Sequence, residues 1–310
     1  MRMKREFVFF GALAVTILIV AAFFLFGRNE GGRDIAPETG RLRVVATFYP
    51  LAEFSRMAGG DAVHVTTIVP FGAEPHEYDP TPKDIISIEQ ADVFVFNGSG
   101  MDPWAEKLAP SLRGKGIVVV NASESVTALP LSEGVSDPHF WLDPVFAESI
   151  IGSLRVAFSE KDPSRTASFD AAAAQSLSEM EAVDGEYRNT LSHCSKNEVV
   201  TSHDAFAYLA KRYAFEAHSI SGLSPEAEPS AGRMADLANL AKKENIRYIF
   251  FETLVSPKVS KTLAREIGAE TLVFDPIEGI SKEDAAAGKN YISIMRENLA
   301  NLSKAMECTP

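Results

Sequence analysis

The chain of 310 residues is long enough for two lobes of ordinary domain size, each with its own core. Its composition is 46% hydrophobic and 23% charged, as in globular proteins, and its formal net charge is −12. We expect no nucleic-acid partner, because an acidic chain without a stripe of Lys and Arg cannot neutralise a row of phosphates.

The N-terminus has the pattern of a membrane anchor on an exported protein. Arg2, Lys4 and Arg5 precede a run from Phe7 to Phe26 that contains no charged residue. About 20 apolar residues span a bilayer as a helix, whereas the apolar core of a cleaved signal is usually about 7–15 residues long. We therefore predict an uncleaved transmembrane helix within residues 1–28, with a cleaved signal as the alternative. The basic end should stay in the cytoplasm, which leaves the folded part in the periplasm or on the cell surface.

Residues 29–41 are polar and rich in glycine, which is typical of a flexible tether. No cysteine precedes Cys194, so we expect no lipid-modified cysteine at the anchor.

Residues 42–160 alternate between β-rich runs and amphipathic segments. The predicted strands are 43–48, 63–69, 92–96 and 116–120, and the predicted helices lie near 51–59, 82–90 and 103–112. This alternation predicts an α/β lobe built on a mostly parallel sheet.

Residues 195–310 repeat the scheme and predict a second α/β lobe. The predicted strands are 198–201, 217–220, 247–251 and 271–274, and the predicted helices lie near 204–213, 230–245, 256–268 and 288–306.

Residues 161–194 are predicted to link the lobes by a single backbone helix. The segment Ser164–His193 contains no proline and one glycine, and it follows the helix-start signal Asp162-Pro163. Such a helix would be about 45 Å long, which exceeds the size of one lobe. The predicted fold is therefore α/β, with two lobes, mostly parallel sheets and one long connecting helix.

Four ligand-type side chains follow predicted strands, two in each lobe: His76, His139, His203 and Asp275. In open α/β sheets ligands bind in the crevice beyond the carboxyl ends of the strands. If the lobes face one another, these side chains converge in the cleft between them. Three imidazoles and one carboxylate suit Zn²⁺, whereas an oxygen-rich set would favour Mn²⁺.

Neighbouring acidic residues are candidates to orient the imidazoles. We predict that Glu74, Glu77 and Asp204 accept a hydrogen bond from the second ring nitrogen of a histidine. Asp137 and Asp143 flank His139, but both precede proline, and we predict that they form turns.

The remaining histidines and both cysteines are assigned structural roles. His64 and His218 lie in predicted strands, and His193 lies at the end of the long helix. Cys194 and Cys308 are an even count in an exported protein, which favours a disulfide; two unpaired thiols are the alternative. Closing a loop of roughly 100 residues would stabilise the fold by on the order of 4 kcal/mol.

Seven runs of the sequence carry a family resemblance. They are VPFGAEPHEYDPTPKDI, ADVFVFNGSGMDPWAEKL, DPHFWLDP, TSHDAFAYLAKRY, SISGLSPEAEPS, IFFETLVSPKVSKTLAREIGA and LVFDPIEGI. In this order they resemble the cluster A-I zinc- and manganese-binding proteins of ABC transporters, of the ZnuA and TroA type. The resemblance implies a rigid helix between two lobes, with metal ligands at His76, His139, His203 and Asp275. Manganese-preferring relatives tend to have Glu at the position of His203, so the resemblance favours zinc.

The expected function is capture of one divalent metal ion and its delivery to the membrane permease and ATPase of an ABC importer. The chain is not expected to be an enzyme: a zinc hydrolase keeps an open position for water, and the sequence has neither H-E-x-x-H nor G-x-S-x-G. Alternatives are a manganese-specific relative, a binder of a larger ligand such as an iron chelate, and a surface adhesin with a metal site.

Overall fold

The computed structural model describes residues 40–132 and 135–309. The predicted membrane helix within residues 1–28 and nearly all of the tether lie outside these ranges. Inside them, no helix has both the length and the apolar character needed to cross a bilayer.

The first lobe is built on a parallel sheet of four short strands. They are β1 (Leu42–Ala46), β2 (Val63–Thr67), β3 (Val93–Phe96) and β4 (Val118–Asn121), and the helices between them are α1 (Tyr49–Gly59), α2 (Pro82–Glu89) and α3 (Pro103–Gly114). The strand order is β2-β1-β3-β4, and every pairing is parallel. All residues of β3 are buried, as expected for a strand covered on both faces.

A hairpin and a helix follow the first sheet. The hairpin joins β5 (Pro130–Ser132) to β6 (Val135–Ser136) in antiparallel pairing. The helix is α4 (Pro144–Lys161), and the carboxylate of Asp143 caps it by accepting the backbone N–H of Val145. The helix α4 was not predicted from the sequence.

The connecting helix α5 (Thr166–Leu191) has 26 residues, which corresponds to about 39 Å. Near its start, the ring of Phe169 packs 5.7 Å from that of Phe158 in α4. Near its end, the hydroxyl of Tyr187 donates to the carbonyl of Met295 in the second lobe, at 2.7 Å. One helix therefore packs against both lobes, which confirms the predicted connection.

The second lobe repeats the first sheet. Its strands are β7 (Glu198–Thr201), β8 (Glu216–Ser219), β9 (Tyr248–Phe251) and β10 (Glu270–Val273), and its helices are α6 (Ala207–Tyr213), α7 (Ala231–Lys243), α8 (Lys258–Ile267), α9 (Lys282–Ala286) and α10 (Tyr291–Ala305). All pairings are parallel in the order β10-β9-β7-β8. Counted along the chain, this order matches that of the first sheet, so the carboxyl ends of two similar sheets form the cleft.

A shared core holds the lobes together, and a disulfide joins the end of the connecting segment to the end of the second lobe. One continuous hydrophobic cluster includes buried residues of both lobes and of the two helices between them. In that cluster the rings of Phe54 and Tyr291 meet edge to face at 4.9 Å. Cys194, just after α5, forms the predicted disulfide with Cys308, just after α10.

Candidate metal site

Four side chains from four separate loops meet between the lobes: His76, His139, His203 and Glu278. The Nε2 atom of His139 lies 3.2 Å from that of His76 and 3.4 Å from that of His203. The Oε1 atom of Glu278 lies 3.2 Å from Nε2 of His76, 3.1 Å from Nε2 of His203 and 3.4 Å from Nε2 of His139.

These five distances are close to the edges of one regular tetrahedron, and the four ligand atoms all lie within 4.8 Å of one another. A tetrahedron with edges of this length has its centre about 2.0 Å from each corner, which matches the usual Zn–N and Zn–O distances. All three imidazoles present the same nitrogen to this centre. The structure therefore brings the three predicted histidines within reach of a single ion.

The loops that carry these residues leave the sheets at the carboxyl ends of strands. His203 lies just beyond β7, Glu278 lies beyond β10, and His76 lies in the loop between β2 and α2. His139 follows the hairpin strand β6 and is far in sequence from the strands of the first sheet, but Asn97, just after β3, donates from Nδ2 to the carbonyl of Pro138 at 3.0 Å. This bond fixes the His139 loop to the same edge of the first sheet.

Two buried carboxylates orient two of the imidazoles. The Nδ1 atom of His139 is 2.8 Å from Oδ1 of Asp137, and Nδ1 of His203 is 2.5 Å from Oε1 of Glu252. A proton on each Nδ1 leaves Nε2 free as a metal ligand. Asp137 also accepts the backbone N–H of His139 at 2.9 Å, which forms the predicted turn, and its contact with the ring adds an orienting role.

The residues predicted for this orienting role do not perform it. Glu74 accepts from the backbone N–H of His76 at 2.9 Å, and its second oxygen is buried without a partner among the residues in view. Burial, with the charge of Glu278, raises the pKa of Glu74 to about 8. Neither Glu77 nor Asp204 hydrogen-bonds an imidazole in residues 40–132 and 135–309; the N–H of Asp204 instead donates to Gly222. Asp137 is a sequence neighbour of His139, whereas Glu252 follows the adjacent strand β9, so sequence proximity to His203 gives no sign of it.

Asp275, predicted as the fourth ligand, lies outside the cluster, and Glu278 occupies that place. The Asp275 carboxylate accepts from Thr253 Oγ1 at 2.7 Å and from the backbone N–H of Ile277 at 2.8 Å. Burial raises the pKa of Asp275 to about 6. Ile277 is buried at φ 55°, a left-handed conformation that is strained for a β-branched residue. Asp275 thus stabilises the turn that brings Glu278 into the cleft.

The charges in the cluster shift the titration of its members. Burial alone would lower the pKa of His203, but the charges of Glu278 and Glu252 outweigh it and raise that pKa well above its usual value. Burial alone would raise the pKa of Glu278, but the charge of His203 and hydrogen bonds from all three imidazoles hold it well below its usual value. Without metal, the site therefore favours an ionised carboxylate beside a protonated imidazole.

The second lobe, as well as Asn97 of the first lobe, holds the segment that carries His139. The indole of Trp141 donates to the carbonyl of Pro276 at 2.8 Å, and Tyr208 donates to the carbonyl of Asp137 at 2.9 Å. Tyr291 donates in turn to the carbonyl of Trp141 at 2.5 Å. The ring of Trp141 also packs 5.1 Å from that of His139, so it supports the site by packing.

Comparison with known proteins gives a consistent family relationship. Residues 44–305 match the family described as ZnuA, zinc-uptake complex component A, periplasmic. The high-affinity zinc uptake system protein ZnuA of Bacillus subtilis strain 168 is 36% identical over 308 residues, which cover 94% of this chain and 97% of that protein. The zinc-binding lipoprotein AdcA of Streptococcus pneumoniae is 37% identical over 303 residues; the match covers 93% of this chain but 60% of AdcA.

Solved structures share the same architecture. The Zn(II)-bound ZnuA-like domain of Streptococcus pneumoniae AdcA aligns with a TM-score of 0.78 and 39% identity, covering 86% of this chain and all of that domain. The laminin-binding protein Lmb of Streptococcus agalactiae, an adhesin with metal-transporting activity, aligns with a TM-score of 0.79 and 30% identity over 86% of this chain and 99% of Lmb. The chain belongs to the ZnuA family of periplasmic zinc-uptake components, which are metal-binding transport proteins and not enzymes.

Proposed function

We propose that His76, His139, His203 and Glu278 bind one Zn²⁺ per chain as transported cargo, and that the chain delivers it to a membrane permease. The observation that carries this proposal is the cluster of three Nε2 atoms and one Oε1 atom, in which five of the six separations are 3.1–3.4 Å. Four protein ligands form a closed shell, whereas catalytic zinc sites keep a position open for water. A closed shell suits capture and carriage of the ion.

Zinc fits this ligand set better than manganese does. Three of the four donors are imidazole nitrogens, and one carboxylate oxygen completes the shell. Mn²⁺ favours sets richer in oxygen, and it also binds more weakly than Zn²⁺ to most nitrogen ligands. The name and bound ion of the AdcA domain support the same choice.

Titration of the full chain with zinc in competition with a chelator tests the site. One tight equivalent of zinc is expected, and His203→Ala should remove it. His193→Ala is the matched control, because the imidazole of His193 hydrogen-bonds the carbonyl of Asn189 and lies outside the cluster. A full chain that shows no saturable zinc binding in the micromolar range would refute the proposal.

Delivery to an importer is tested in cells. An extracytoplasmic binding protein has no energy source of its own, so the permease and its ATPase must drive uptake. Deletion of the gene should prevent growth when zinc is chelated, and the wild-type gene should restore growth where the His203→Ala gene does not. Restoration by the His203→Ala gene would argue against a transport role.

Attachment to the membrane through residues 1–28 is a further part of the proposal. Three basic residues followed by the uncharged run from Phe7 to Phe26 support it. Cell fractionation should find the full chain with the membrane and a chain that starts at residue 29, behind a cleavable signal, in the soluble exported fraction. Equal release of both chains would contradict anchoring.

Adhesion is a second candidate function, favoured by the similarity to Lmb. Binding of the full chain to immobilised laminin tests it directly. If adhesion is independent of transport, His203→Ala should retain laminin binding while it loses zinc. Absence of laminin binding by the wild-type chain would remove this candidate.

A further inference from the structure

A second group of metal-ligand side chains lies on β7 and β8. Glu198 and Glu216 are the first residues of these strands, and His218 lies further along β8. The site between the lobes follows the carboxyl ends of strands, whereas the two glutamates lie at the amino ends. The two groups share no residue and no loop, so each can be changed without the other.

The register of the strands places these three side chains together. Glu198 pairs with Glu216, and Val200 pairs with His218, in a parallel ladder. Side chains of paired residues lie on the same face of a sheet, and so do those two positions apart along one strand. Because β8 is the edge strand of the sheet, the face that carries these three side chains is open to solvent beside β8.

The ligand atoms are already near the spacing that a metal ion requires. Nε2 of His218 lies 3.1 Å from Oε2 of Glu198 and 3.8 Å from Oε2 of Glu216. One ligand atom of each residue lies within 4.8 Å of the other two. A tetrahedral zinc ion separates neighbouring ligand atoms by about 3.3 Å. The side chain of Glu216 is 66% exposed and can make the remaining adjustment by rotation.

We propose that Glu198, Glu216 and His218 form a second, weaker Zn²⁺ site on the surface of the second lobe. An imidazole in the set favours borderline ions such as Zn²⁺ over Mg²⁺ and Ca²⁺, which take oxygen ligands. The two adjacent carboxylates repel each other, and a divalent cation neutralises both. The sequence assigns His218 a structural role as a strand residue; this proposal gives its imidazole a ligand role.

A neighbouring lysine sets a limit on the affinity of this site. The ammonium of Lys243, at the end of α7, pairs with Glu244 at 2.6 Å and also interacts with the charge of Glu198. Its positive charge opposes a second cation nearby. This repulsion, together with solvent exposure and three protein ligands in place of four, makes the second site weaker than the first.

Zinc titration of the full chain by calorimetry, extended to millimolar zinc, tests the proposal. Two classes of site are expected, one tight and one weaker. His218→Ala and Glu198→Gln should each weaken the second class at least tenfold and leave the first unchanged. Lys243→Met should tighten the second class, a response that a purely structural role for the cluster would not give.

Matched variants separate this proposal from the one for the cleft. His203→Ala should remove the tight class and leave the weaker one, whereas His193→Ala should leave both. Binding of a single equivalent by the wild-type chain at all zinc concentrations would overturn the second site. So would a second equivalent that persists unchanged in both His218→Ala and Glu198→Gln, because that zinc would then be bound elsewhere.

Discussion

Two buried carboxylates determine which nitrogen two of the histidines present to the cleft. Asp137 and Glu252 contact the Nδ1 atoms of His139 and His203, whose side chains are both 0% exposed. Among the described residues, no group hydrogen-bonds Nδ1 of His76, whose side chain is 10% exposed. The ligands are therefore unequal: a carboxylate at Nδ1 orients two of them, and the described residues supply no such group to the third.

Replacing either orienting carboxylate should weaken zinc binding. Asp137→Asn and Glu252→Gln keep the shape of the side chain but remove the charge that holds the Nδ1 proton. We expect each to reduce zinc affinity by about 10–100-fold, measured by chelator competition. Glu77→Gln is the control, since Glu77 is exposed and contacts no imidazole in the parts of the chain described. If Asp137→Asn and Glu252→Gln both bound zinc with wild-type affinity, orientation of the imidazoles would contribute nothing to zinc binding.

The two acidic residues of the last loop should respond differently to amide substitution. Glu278→Gln removes an anionic ligand and should strongly weaken zinc binding. Asp275→Asn keeps an oxygen that can accept from Ile277 and an amide that can hydrogen-bond Thr253, so it should have the smaller effect. Zinc titration of both variants checks this order, and the reverse order would restore Asp275 as the ligand.

Zinc affinity should keep rising with pH above the ordinary titration range of histidine. The folded-state pKa of His203 is raised above its unfolded value near 6.5. Its contribution to the stability of the zinc-free protein is therefore complete below about pH 6.5 and is lost as pH rises through the folded pKa. Zinc must displace this proton, so binding at pH 7 should release protons.

Calorimetry in buffers of different ionisation enthalpy measures this proton release. Glu252→Gln removes one of the charges that raise the pKa of His203, so it should release fewer protons at pH 7 than the wild-type chain does. Equal affinity at pH 6.5 and pH 8 in the wild-type chain would contradict the expectation.

At the scale of secondary structure, the sequence predicted all eight strands of the two sheets to within two residues. The strands could be predicted because short β-rich segments alternate regularly with helical segments along the sequence. The helix α4 was missed although Ala147, Ile150, Ile151, Leu154 and Phe158 have helical spacing and are buried. No element was predicted between the strand 116–120 and the connecting segment 161–194.

Glu278 was missed for a different physical reason. The loop after β10 contains two acidic residues, and the first of them follows the strand most closely. Only the turn closed by Asp275, with Ile277 in a left-handed conformation, directs the second into the cleft. Sequence spacing gives no sign of such a turn, because isoleucine is disfavoured there.

The disulfide ties the end of α5 to the residues that follow α10, across 114 residues of chain. In the chain-entropy description, closing a loop of this length stabilises the fold by about 4 kcal/mol. Urea unfolding of the zinc-free protein with and without reductant should show a loss of that order. Zinc affinity should not change, because neither cysteine belongs to the cluster. Equal unfolding free energies in the two conditions would contradict this role.

At the scale of the whole molecule, the lobes share one core and one long helix, and hydrogen bonds from both hold residues 137–141. We therefore expect little hinge motion on zinc release. Small-angle scattering of the zinc-loaded and zinc-free full chain should give the same radius of gyration within error. A clear expansion on zinc removal would show that the shared core opens.

The division of the ligands between the lobes has a mechanical consequence. His76 and His139 come from one lobe, and His203 and Glu278 come from the other, so the cargo itself cross-links the two halves. At free zinc 1,000 times its Kd, the ion adds about 4.1 kcal/mol to the unfolding free energy, comparable to the covalent bridge. The zinc-loaded protein therefore has a higher unfolding free energy than the zinc-free protein. A protease that cleaves unfolded chains should degrade the zinc-free form faster than the zinc-loaded form.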